Sequence, residues 1–311
     1  MTMATDEQYM ERCLQLARNG LQSARPNPMV GAVIVAVRPG QGERIIGEGY
    51  HVCCGQGHAE VNAFASVKPS DEALLREATL YVSLEPCSHF GKTPPCADLI
   101  VAKGVRRVVV GCIDEFAKVQ GRGIRRLQEA GISVTVGVKE TECRQLNRRF
   151  FTFHRQHRPY IILKWAQTAN GFIDDGGRPL AISTSFTQML VHKLRAEADA
   201  ILVGRVTDER EHPALTVRHW VGPNPVRLVV SHSQPLSLEA LYEQGIQSLI
   251  VEGGAATLNR FFEQDLWDEI RVETAPLTVA AGTRAPQLPA TARVAGSACY
   301  DGNRIVTLVR A

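Results

Sequence analysis

The sequence predicts an α/β protein built from two domains in series. The chain has 311 residues, about twice the length of one ordinary domain. Short β-branched segments alternate with amphipathic helical segments along most of it. A highly charged connector at 139–158 interrupts that alternation once. Because alternating strands and helices fold into layers, we expect two layered domains, the first with a largely parallel sheet.

The first half starts with a helix and continues as alternating strands and helices. Thr5 and Gln8 have the spacing of a capping box, and Gly20 is a helix stop signal. The nearly continuous apolar segment 29–37 predicts a strand buried on both faces. The other elements predicted in this half are helices near 58–67, 95–103 and 122–130 and strands at 79–84, 107–113 and 132–136.

The second half repeats the alternation after Pro159, which closes the connector. The chain passes from Val230 to a helix at Leu238 through a short loop. We therefore expect domains at 1–147 and 148–311. The elements predicted in the second are strands at 160–166, 200–203, 226–230, 249–251, 269–274 and 304–309 and helices at 185–197 and 255–264.

Composition and charge exclude several classes of protein. The formal charge of +3 is small for a nucleic-acid-binding protein, and the sequence has no stripe of basic residues interleaved with aromatic ones. It is compatible with binding a phosphorylated small molecule. The sequence shows no signal peptide and no apolar stretch of the roughly 18 residues that span a bilayer, so we expect a cytoplasmic location. Eight cysteines there indicate metal ligation or burial rather than disulfides.

One group of residues has the pattern of a zinc site. His58 and Glu60 form a His-Ala-Glu triplet, and Cys87 and Cys96 follow, each directly after a proline. Catalytic zinc takes three nitrogen or sulfur ligands and keeps a position for water. Glu60 can then exchange protons between that water and a departing amine. The pattern resembles the H-x-E and P-C-x-x-C signature of nucleobase deaminases, although eight residues separate these cysteines.

Other interpretations of these residues stay open at this point. A closed structural zinc site could use His89 or Cys53 as its fourth ligand. Cys87 and Cys96 could be buried thiols, which is the commoner fate of intracellular cysteines. A base deaminase acting on nucleic acid is a further hypothesis, which the weak charge disfavours.

A glycine pair marks a second candidate site. The segment 251–258 reads as a strand, a glycine turn at Gly253 and Gly254, and the start of a helix. Such a turn lets backbone N–H groups approach a dinucleotide pyrophosphate. Alone it is also compatible with an ordinary tight turn.

The first half carries four longer motifs: RPNPMVGAVIV at 25–35, GEGYH at 47–51, HAEVNA at 58–63 and EPCSHFGKTPPCADLI at 85–100. In these motifs the chain resembles the RibD family of bifunctional riboflavin-biosynthesis enzymes. The resemblance implies a cytidine-deaminase-like three-layer α/β/α domain followed by a dihydrofolate-reductase-like α/β domain. It further implies zinc and NADPH as cofactors and a phosphorylated diaminopyrimidine as substrate.

For the deaminase domain, the resemblance implies residues that hold the pyrimidine and its ribose phosphate. One departure is visible, because the family's Asp-Pro-Asn-Pro is Asp-Glu-Phe-Ala at 114–117, so that Phe116 replaces a polar contact. The implied substrate residues are Asn27, His51, His89, Lys92 and Asp114.

For the reductase domain, the resemblance implies Lys164 and Glu252 as catalytic residues and Arg195 and Arg218 as ligands of the substrate phosphate. Leu215 is a further implied substrate contact. The implied cofactor-binding residues are Ala166, Thr207, Glu211, Gly253, Gly254, Ala255, Ala256 and Thr257.

This second domain also departs from the family pattern. The family's Ser-Leu-Asp-Gly is Thr-Ala-Asn-Gly at 168–171, a common tryptophan is Ala181, and a frequent aspartate is Ser231. The short loop before Leu238 predicts a reductase domain that lacks one strand and loop. An alternative is therefore a deaminase whose second domain only binds or dimerises. The resemblance implies a homodimer, and the charge pattern and hydropathy predict no nucleic-acid or membrane partner.

Overall fold

A computed structural model describes residues 5–38, 40, 42–88, 94–115, 120–231, 233 and 235–310. The chain divides into two compact units, Met1–Arg155 and Gln156–Ala311. None of the helices in the described part combines the length and apolar character that crossing a bilayer requires.

The first unit contains a mixed five-stranded sheet in the order β2-β1-β3-β4-β5. Strand β1 is antiparallel to both β2 and β3, whereas β3, β4 and β5 are parallel. The prediction of a largely parallel sheet is therefore wrong for half of the strand pairs, because β1 runs antiparallel to both of its neighbours. The strands are β1 (Gly31–Arg38), β2 (Gly42–Tyr50), β3 (Thr79–Leu84), β4 (Arg107–Cys112) and β5 (Ser133–Val136).

Helices cover both faces of this sheet, which makes three layers. One buried cluster joins the sheet to α2, α3 and α4, and another joins it to α1, α5 and α6. The predicted capping box of α1 is present between Thr5 and Gln8. The predicted connector is two helices, α5 and α6. The helices are α1 (Asp6–Ala17), α2 (Ala59–Ala65), α3 (Cys96–Lys103), α4 (Arg122–Glu129), α5 (Glu140–Leu146) and α6 (Arg148–Gln156).

Strand β2 was not predicted, because glycines interrupt its apolar pattern. Those glycines are required by packing. A Cβ at Gly49 would lie 2.3 Å from the Ala63 nitrogen, and one at Gly47 would lie 2.6 Å from the Ala63 oxygen. Helix α2 therefore rests directly on the backbone of β2, and this close approach sets the position of the His58 end of the helix.

The second unit contains a seven-stranded sheet in the order β11-β12-β10-β6-β9-β7-β8. Strands β10, β6, β9, β7 and β8 are parallel, and β12 and β11 continue the sheet antiparallel. The strands are β6 (Tyr160–Thr168), β7 (Ala200–Gly204), β8 (Val226–Val230), β9 (Ser248–Val251), β10 (Glu269–Ala275), β11 (Ala292–Tyr300) and β12 (Asn303–Arg310).

The two faces of this sheet are buried in separate clusters. Ile161 and Leu163 of β6 contribute to one cluster with α9 and α10, and Tyr160 and Ile162 contribute to the other with α7. Strand β11 was not predicted, since its small, exposed residues carry no apolar alternation. The helices are α7 (Ser185–Ala196), α8 (Arg205–Glu211), α9 (Leu238–Glu243) and α10 (Ala255–Glu263).

The strand order creates a crevice at one edge of the second sheet. From β6 the chain crosses to β7 on one side, and from β9 it crosses to β10 on the other. The carboxyl ends of all five parallel strands meet at the same edge. In open α/β sheets, ligands bind where the crossovers diverge in this way.

Candidate active sites

The start of α2 positions His58 and Glu60. His58 is the N-cap residue and has extended backbone angles, while Glu60 lies in the first helical turn. The Glu60 side chain points inward, and the residue is only 3% exposed. A carboxylate is therefore buried two residues from the histidine.

The two cysteines come together where β3 ends and α3 begins. Cys87 follows β3 through Glu85 and Pro86, and Cys96 is the first residue of α3. The Cys96 backbone N–H donates to the Cys87 Sγ at 3.3 Å, and the Ala97 N–H donates to the Cys87 carbonyl at 3.1 Å. The start of α3 therefore faces the sulfur of Cys87, where it favours a thiolate.

His58, Cys87 and Cys96 have the geometry of a zinc site. The His58 Nδ1 lies 3.5 Å from the Cys87 Sγ and 3.3 Å from the Cys96 Sγ. All three donor atoms lie within 4.8 Å of one another. Tetrahedral zinc with ordinary bond lengths needs a nitrogen–sulfur separation of about 3.6 Å, so the donor set fits. Cys53 is not among the grouped donors of the described residues, and His89 lies outside them.

Electrostatics favour a thiolate at this site before any metal binds. A hydrogen bond from the Cys96 thiol outweighs burial and lowers the pKa of the Cys87 thiol to about 4. The same hydrogen bond raises the pKa of the Cys96 thiol well above its usual range. The hydrogen bond with Cys87 also raises the pKa of His58. Burial, reinforced by the charge of Cys87, raises the pKa of Glu60 to about 7.

Two of the predicted substrate residues lie beside the metal donors. The ring of His51 packs edge-on against the ring of His58, with centroids 5.3 Å apart. The His51 Nδ1 lies 3.2 Å from the Gly57 carbonyl and its Nε2 lies 3.1 Å from the Asn27 Nδ2. A carbonyl only accepts, so Nδ1 carries the proton and Nε2 accepts from Asn27. Burial lowers the pKa of His51, in keeping with this neutral form.

Glu85 is a site residue that the sequence analysis missed. Its buried carboxylate accepts hydrogen bonds from the backbone N–H groups of Asp114 at 3.2 Å, Gly121 at 3.0 Å and Gly123 at 3.0 Å. It therefore connects the Cys87 segment to the loop that carries Asp114, which is 8% exposed. The position of Glu85 directly before Pro86-Cys87 was the available signal.

Asn147 is a second missed residue. Its side chain donates to the Met29 carbonyl and accepts from the Met29 N–H, both at 2.8 Å. This two-point contact holds the segment that follows Asn27. His89, Lys92 and Phe116 lie outside the described residues.

The second unit brings three predicted residues together at the crevice. Glu252 follows β9 and Lys164 lies on β6, where Leu163 pairs with Val251. Arg195 of α7 donates to both Glu252 oxygens, through Nε at 3.3 Å and Nη2 at 2.7 Å. Burial alone would raise the pKa of Glu252, but Lys164 and Arg195 outweigh it and lower that pKa. Glu252 is therefore an ionised carboxylate that pairs with Arg195 and interacts with the charge of Lys164.

The predicted cofactor loop lies at the start of α10. Gly254 is the N-cap residue of α10, and among the described residues no side chain caps this helix. The backbone N–H groups of the first turn can therefore bind an anion. The Gly254 N–H donates to the Thr207 Oγ1 at 3.3 Å. A Cβ at Gly204 or Gly253 would lie 2.5 or 2.8 Å from Thr257. The two glycines therefore let Thr257 pack closely against the backbone at the start of α10.

The other predicted residues of this unit are more dispersed. Leu215 is buried in the α7 cluster and has a φ of 53°, so its side chain faces the core. Ala166 lies on β6 beside Glu273 of β10. Glu211 is exposed at the end of α8, and Ala255 and Ala256 form the first turn of α10.

The Thr-Ala-Asn-Gly departure folds as a tight turn. The Thr168 Oγ1 accepts from the Phe172 N–H at 2.9 Å and lies 2.8 Å from the Asn170 Oδ1. Gly171 has a φ of 80°, which glycine adopts readily. Asn170 therefore maintains the turn where the family has aspartate.

Family models match both halves of the chain. Residues 3–112 match the cytidine and deoxycytidylate deaminase zinc-binding region. Residues 159–240 and 234–295 match the RibD C-terminal domain. The fold and the sites thus define a zinc-dependent deaminase joined to an NADPH-dependent reductase.

The relatives have the same composite organisation. The riboflavin biosynthesis protein RibD of Synechocystis is 42% identical over 80% of this chain, and the match spans 66% of that relative, just under two thirds. RibD of Aquifex aeolicus is 37% identical over 91% of this chain and 90% of its own. The chain belongs to the RibD family of riboflavin-biosynthesis proteins.

Solved structures agree over nearly the whole length. RibD of Acinetobacter baumannii is 28% identical with a TM-score of 0.86, covering 98% of this chain and 99% of its own. The diaminohydroxyphosphoribosylaminopyrimidine deaminase/5-amino-6-(5-phosphoribosylamino)uracil reductase of Thermotoga maritima is 32% identical, with the same TM-score and coverage. These matches confirm the predicted fold class and the bifunctional deaminase and reductase activity.

Proposed function

We propose that the first unit deaminates 2,5-diamino-6-(5-phosphoribosylamino)pyrimidin-4(3H)-one and that the second reduces the ribose of the product to ribitol phosphate. This proposal rests on the presence of two different sites in one chain. The first unit has a buried acid beside three candidate metal donors. The second unit has a cluster of lysine, glutamate and arginine at the proposed cofactor crevice. We propose 1–147 and 148–311 as the functional domains; α6, which follows that boundary, packs with the first unit.

For deamination, Glu60 is the proton carrier. Zinc, when held by His58, Cys87 and Cys96, supplies the Lewis acidity that makes water a nucleophile at neutral pH. Glu60 accepts a proton from the attacking water and delivers it to the 2-amino nitrogen, which leaves as ammonia as the carbon–oxygen bond forms. Asn27 and His51 contact the ring from the adjacent wall, and His89, Lys92 and Asp114 are proposed to complete the grip on the ribose phosphate.

For reduction, the charged cluster orients the substrate and supplies a proton. NADPH, when held at Gly253, Gly254 and Thr207, supplies the hydride. Lys164 delivers a proton from Nζ to the ribose ring oxygen as the bond from that oxygen to the anomeric carbon breaks and the hydride adds to that carbon. Glu252 lies close enough to interact with the charge of Lys164. Arg195 and Arg218 offer planar donors to the phosphate. Ala166, Glu211 and the first turn of α10 are proposed to line the cofactor, and Leu215 to contact the substrate through its backbone.

We also propose a homodimer. Strand β11 lies at an edge of the second sheet, and residues 293–299 are all exposed. A long exposed edge strand is a ready surface for pairing with another chain. Sedimentation equilibrium should find twice the mass of 34.1 kDa; a monomer at micromolar concentration would contradict the dimer.

The direct test supplies the diaminopyrimidine phosphate with and without NADPH. Without NADPH we expect ammonia and the deaminated pyrimidine only, and with NADPH we expect oxidation of the cofactor and the ribitol product. Failure of both reactions on this substrate would contradict the proposal. Deamination without NADPH binding, measured by calorimetry, would instead support a second domain that only binds or dimerises.

Replacing Lys164 separates the two reactions. Lys164→Ala removes the proton held for the ribose oxygen, so NADPH oxidation should fall by about 10²–10⁴-fold. Ammonia release should stay unchanged. Loss of both reactions together would show that the two sites are not independent.

A further inference from the structure

The segment 215–218 is a strained turn that lies between α8 and β8. Leu215 has a φ of 53°, a region that bulky residues rarely adopt and that costs free energy. A residue keeps such a strained backbone conformation only where contacts with the surrounding structure stabilise it. The turn carries Arg218, which the proposed function assigns to the substrate phosphate.

Two side-chain acceptors hold the backbone of this turn. The Arg218 N–H donates to the His192 Nδ1 at 2.9 Å. The Val217 N–H donates to the Asn224 Oδ1 at 2.8 Å. His192 lies on α7 and is 4% exposed, so its bond is shielded from water. Asn224 is exposed and offers the weaker restraint.

The turn also joins the two phosphate-binding candidates. The Arg195 Nη1 donates to the Thr216 carbonyl at 3.3 Å. The Arg218 Nη1 donates to the Thr216 Oγ1 at 2.9 Å. Both guanidinium groups therefore converge on one residue of the turn, and both depend on its backbone position.

His192 must be unprotonated at Nδ1 to make its contact, because an imidazolium has no acceptor. Its surroundings favour that state. Burial, followed by the charges of Arg195, Arg218 and His219, lowers the pKa of His192. The His219 ring packs edge-on against it at 4.8 Å between centroids. Two groups oppose this lowering of the pKa of His192: the backbone of Thr216, through a hydrogen bond, and the charge of Glu252.

We propose that His192 is a positioning residue of the reductase site, whose Nδ1 holds the 215–218 turn so that Arg195 and Arg218 bind one substrate phosphate together. This inference rests on the proposed function of the second unit. It explains why a buried histidine lies one helical turn from Arg195 on α7. His192 touches neither the substrate nor the cofactor in this role.

The test compares two substitutions at this position. His192→Leu removes the acceptor at similar volume, whereas His192→Asn retains an acceptor near the place of Nδ1. For the leucine variant we expect the KM for the reductase substrate to rise about tenfold, the effect of one hydrogen bond. The Ki of inorganic phosphate as a competitive inhibitor should rise equally. The asparagine variant should recover most of both losses.

Three controls make the result specific. The Kd for NADPH and the rate of ammonia release should not change in either variant. His157→Asn, the same substitution at an exposed histidine of the second unit, should leave every constant unchanged. The reductase kcat should change less than the KM, because His192 acts through phosphate binding.

Two outcomes would overturn the inference. One is an unchanged KM and phosphate Ki in the leucine variant. The other is an equal loss of NADPH binding and turnover in both variants, which would make His192 an ordinary core residue. Absence of reduction by the unaltered chain would instead contradict the proposed function itself.

Discussion

The two sites of this chain are assembled in different ways. The metal donors of the first unit come from two short motifs, one at the start of α2 and one between β3 and α3. The charged cluster of the second unit takes Lys164 from β6, Arg195 from α7 and Glu252 from the end of β9. Metal chemistry restricts the residue types and spacings, so such a site is visible in sequence. A charge cluster is created by strand order and register.

The sites also differ in how their charges are balanced. The donors of the first site hydrogen-bond to one another, and Cys96 stabilises the Cys87 thiolate. In the second site, Arg195 and Glu252 form an ion pair whose side chains are 11% and 12% exposed. Removing either partner of a buried ion pair leaves the other charge buried and unpaired, which destabilises the folded protein. Single changes at Glu60 or at the three metal donors should therefore alter activity more than stability, whereas a change at Arg195 or Glu252 should reduce both.

Replacing Glu60 should give the largest effect and the sharpest contrast. In Glu60→Gln the proposed proton carrier is lost while His58, Cys87 and Cys96 remain, so deamination should fall by about 10²–10⁴-fold. Zinc content, measured by elemental analysis, should not change, and neither should NADPH oxidation when the deaminated pyrimidine is supplied as the substrate. The exposed change Glu72→Gln is the matched control. Retained ammonia release would refute the role of Glu60.

Replacing Glu85 should show how far the first site depends on tertiary contacts. Glu85→Gln places an amide donor against backbone N–H groups in a buried position, which should reduce the free energy of unfolding of the first unit by about 3 kcal/mol. Chemical denaturation measures this. The KM for deamination should rise, since the loop of Asp114 loses its support.

Glu129→Gln, an exposed change on α4, is the control for Glu85. Equal free energies of unfolding for Glu85→Gln and Glu129→Gln would mean that the hydrogen bonds of Glu85 do not stabilise the segments around the metal site.

Replacing Glu252 tests the ion pair through its pH dependence. Because the folded pKa of Glu252 is lowered, its carboxylate contributes stability above the ordinary pKa of 4.5, and this contribution is lost as pH falls through the lowered value. Glu252→Gln should lower the free energy of unfolding of the second unit by about 2 kcal/mol at pH 7. The difference from the unaltered chain should shrink below pH 4.5.

Urea unfolding at several pH values measures that difference, and the exposed Glu263→Gln should show none. If the difference in the free energy of unfolding increased as the pH fell, the pKa of Glu252 would be raised in the folded protein rather than lowered.

Replacing Thr207 should give the smallest effect. Thr207→Val removes the acceptor for the Gly254 N–H, worth about 1 kcal/mol. The Kd for NADPH should rise about fivefold, with deamination unchanged. Thr291→Val, an exposed change in the same unit, is the control. An unchanged Kd would place the cofactor away from this loop.

Most regular elements could be predicted from the sequence. The strand at 79–84 and the strand at 226–230 have the predicted limits, because their β-branched segments end at turn or helix signals. The two strands that were missed, β2 and β11, have no apolar alternation. In β2 the glycines serve the packing of α2, so their reason lies outside the strand.

By itself, the sequence determined the metal donors, the acid beside them and the α/β alternation, because ligand chemistry and side-chain periodicity are local properties. Only the tertiary structure decided that Glu85 supports the Asp114 loop, that Arg195 pairs with Glu252 and that His192 holds Arg218. Those contacts join residues far apart in the chain, and their free energy depends on burial and hydrogen-bond geometry that exist only after the sheets have formed.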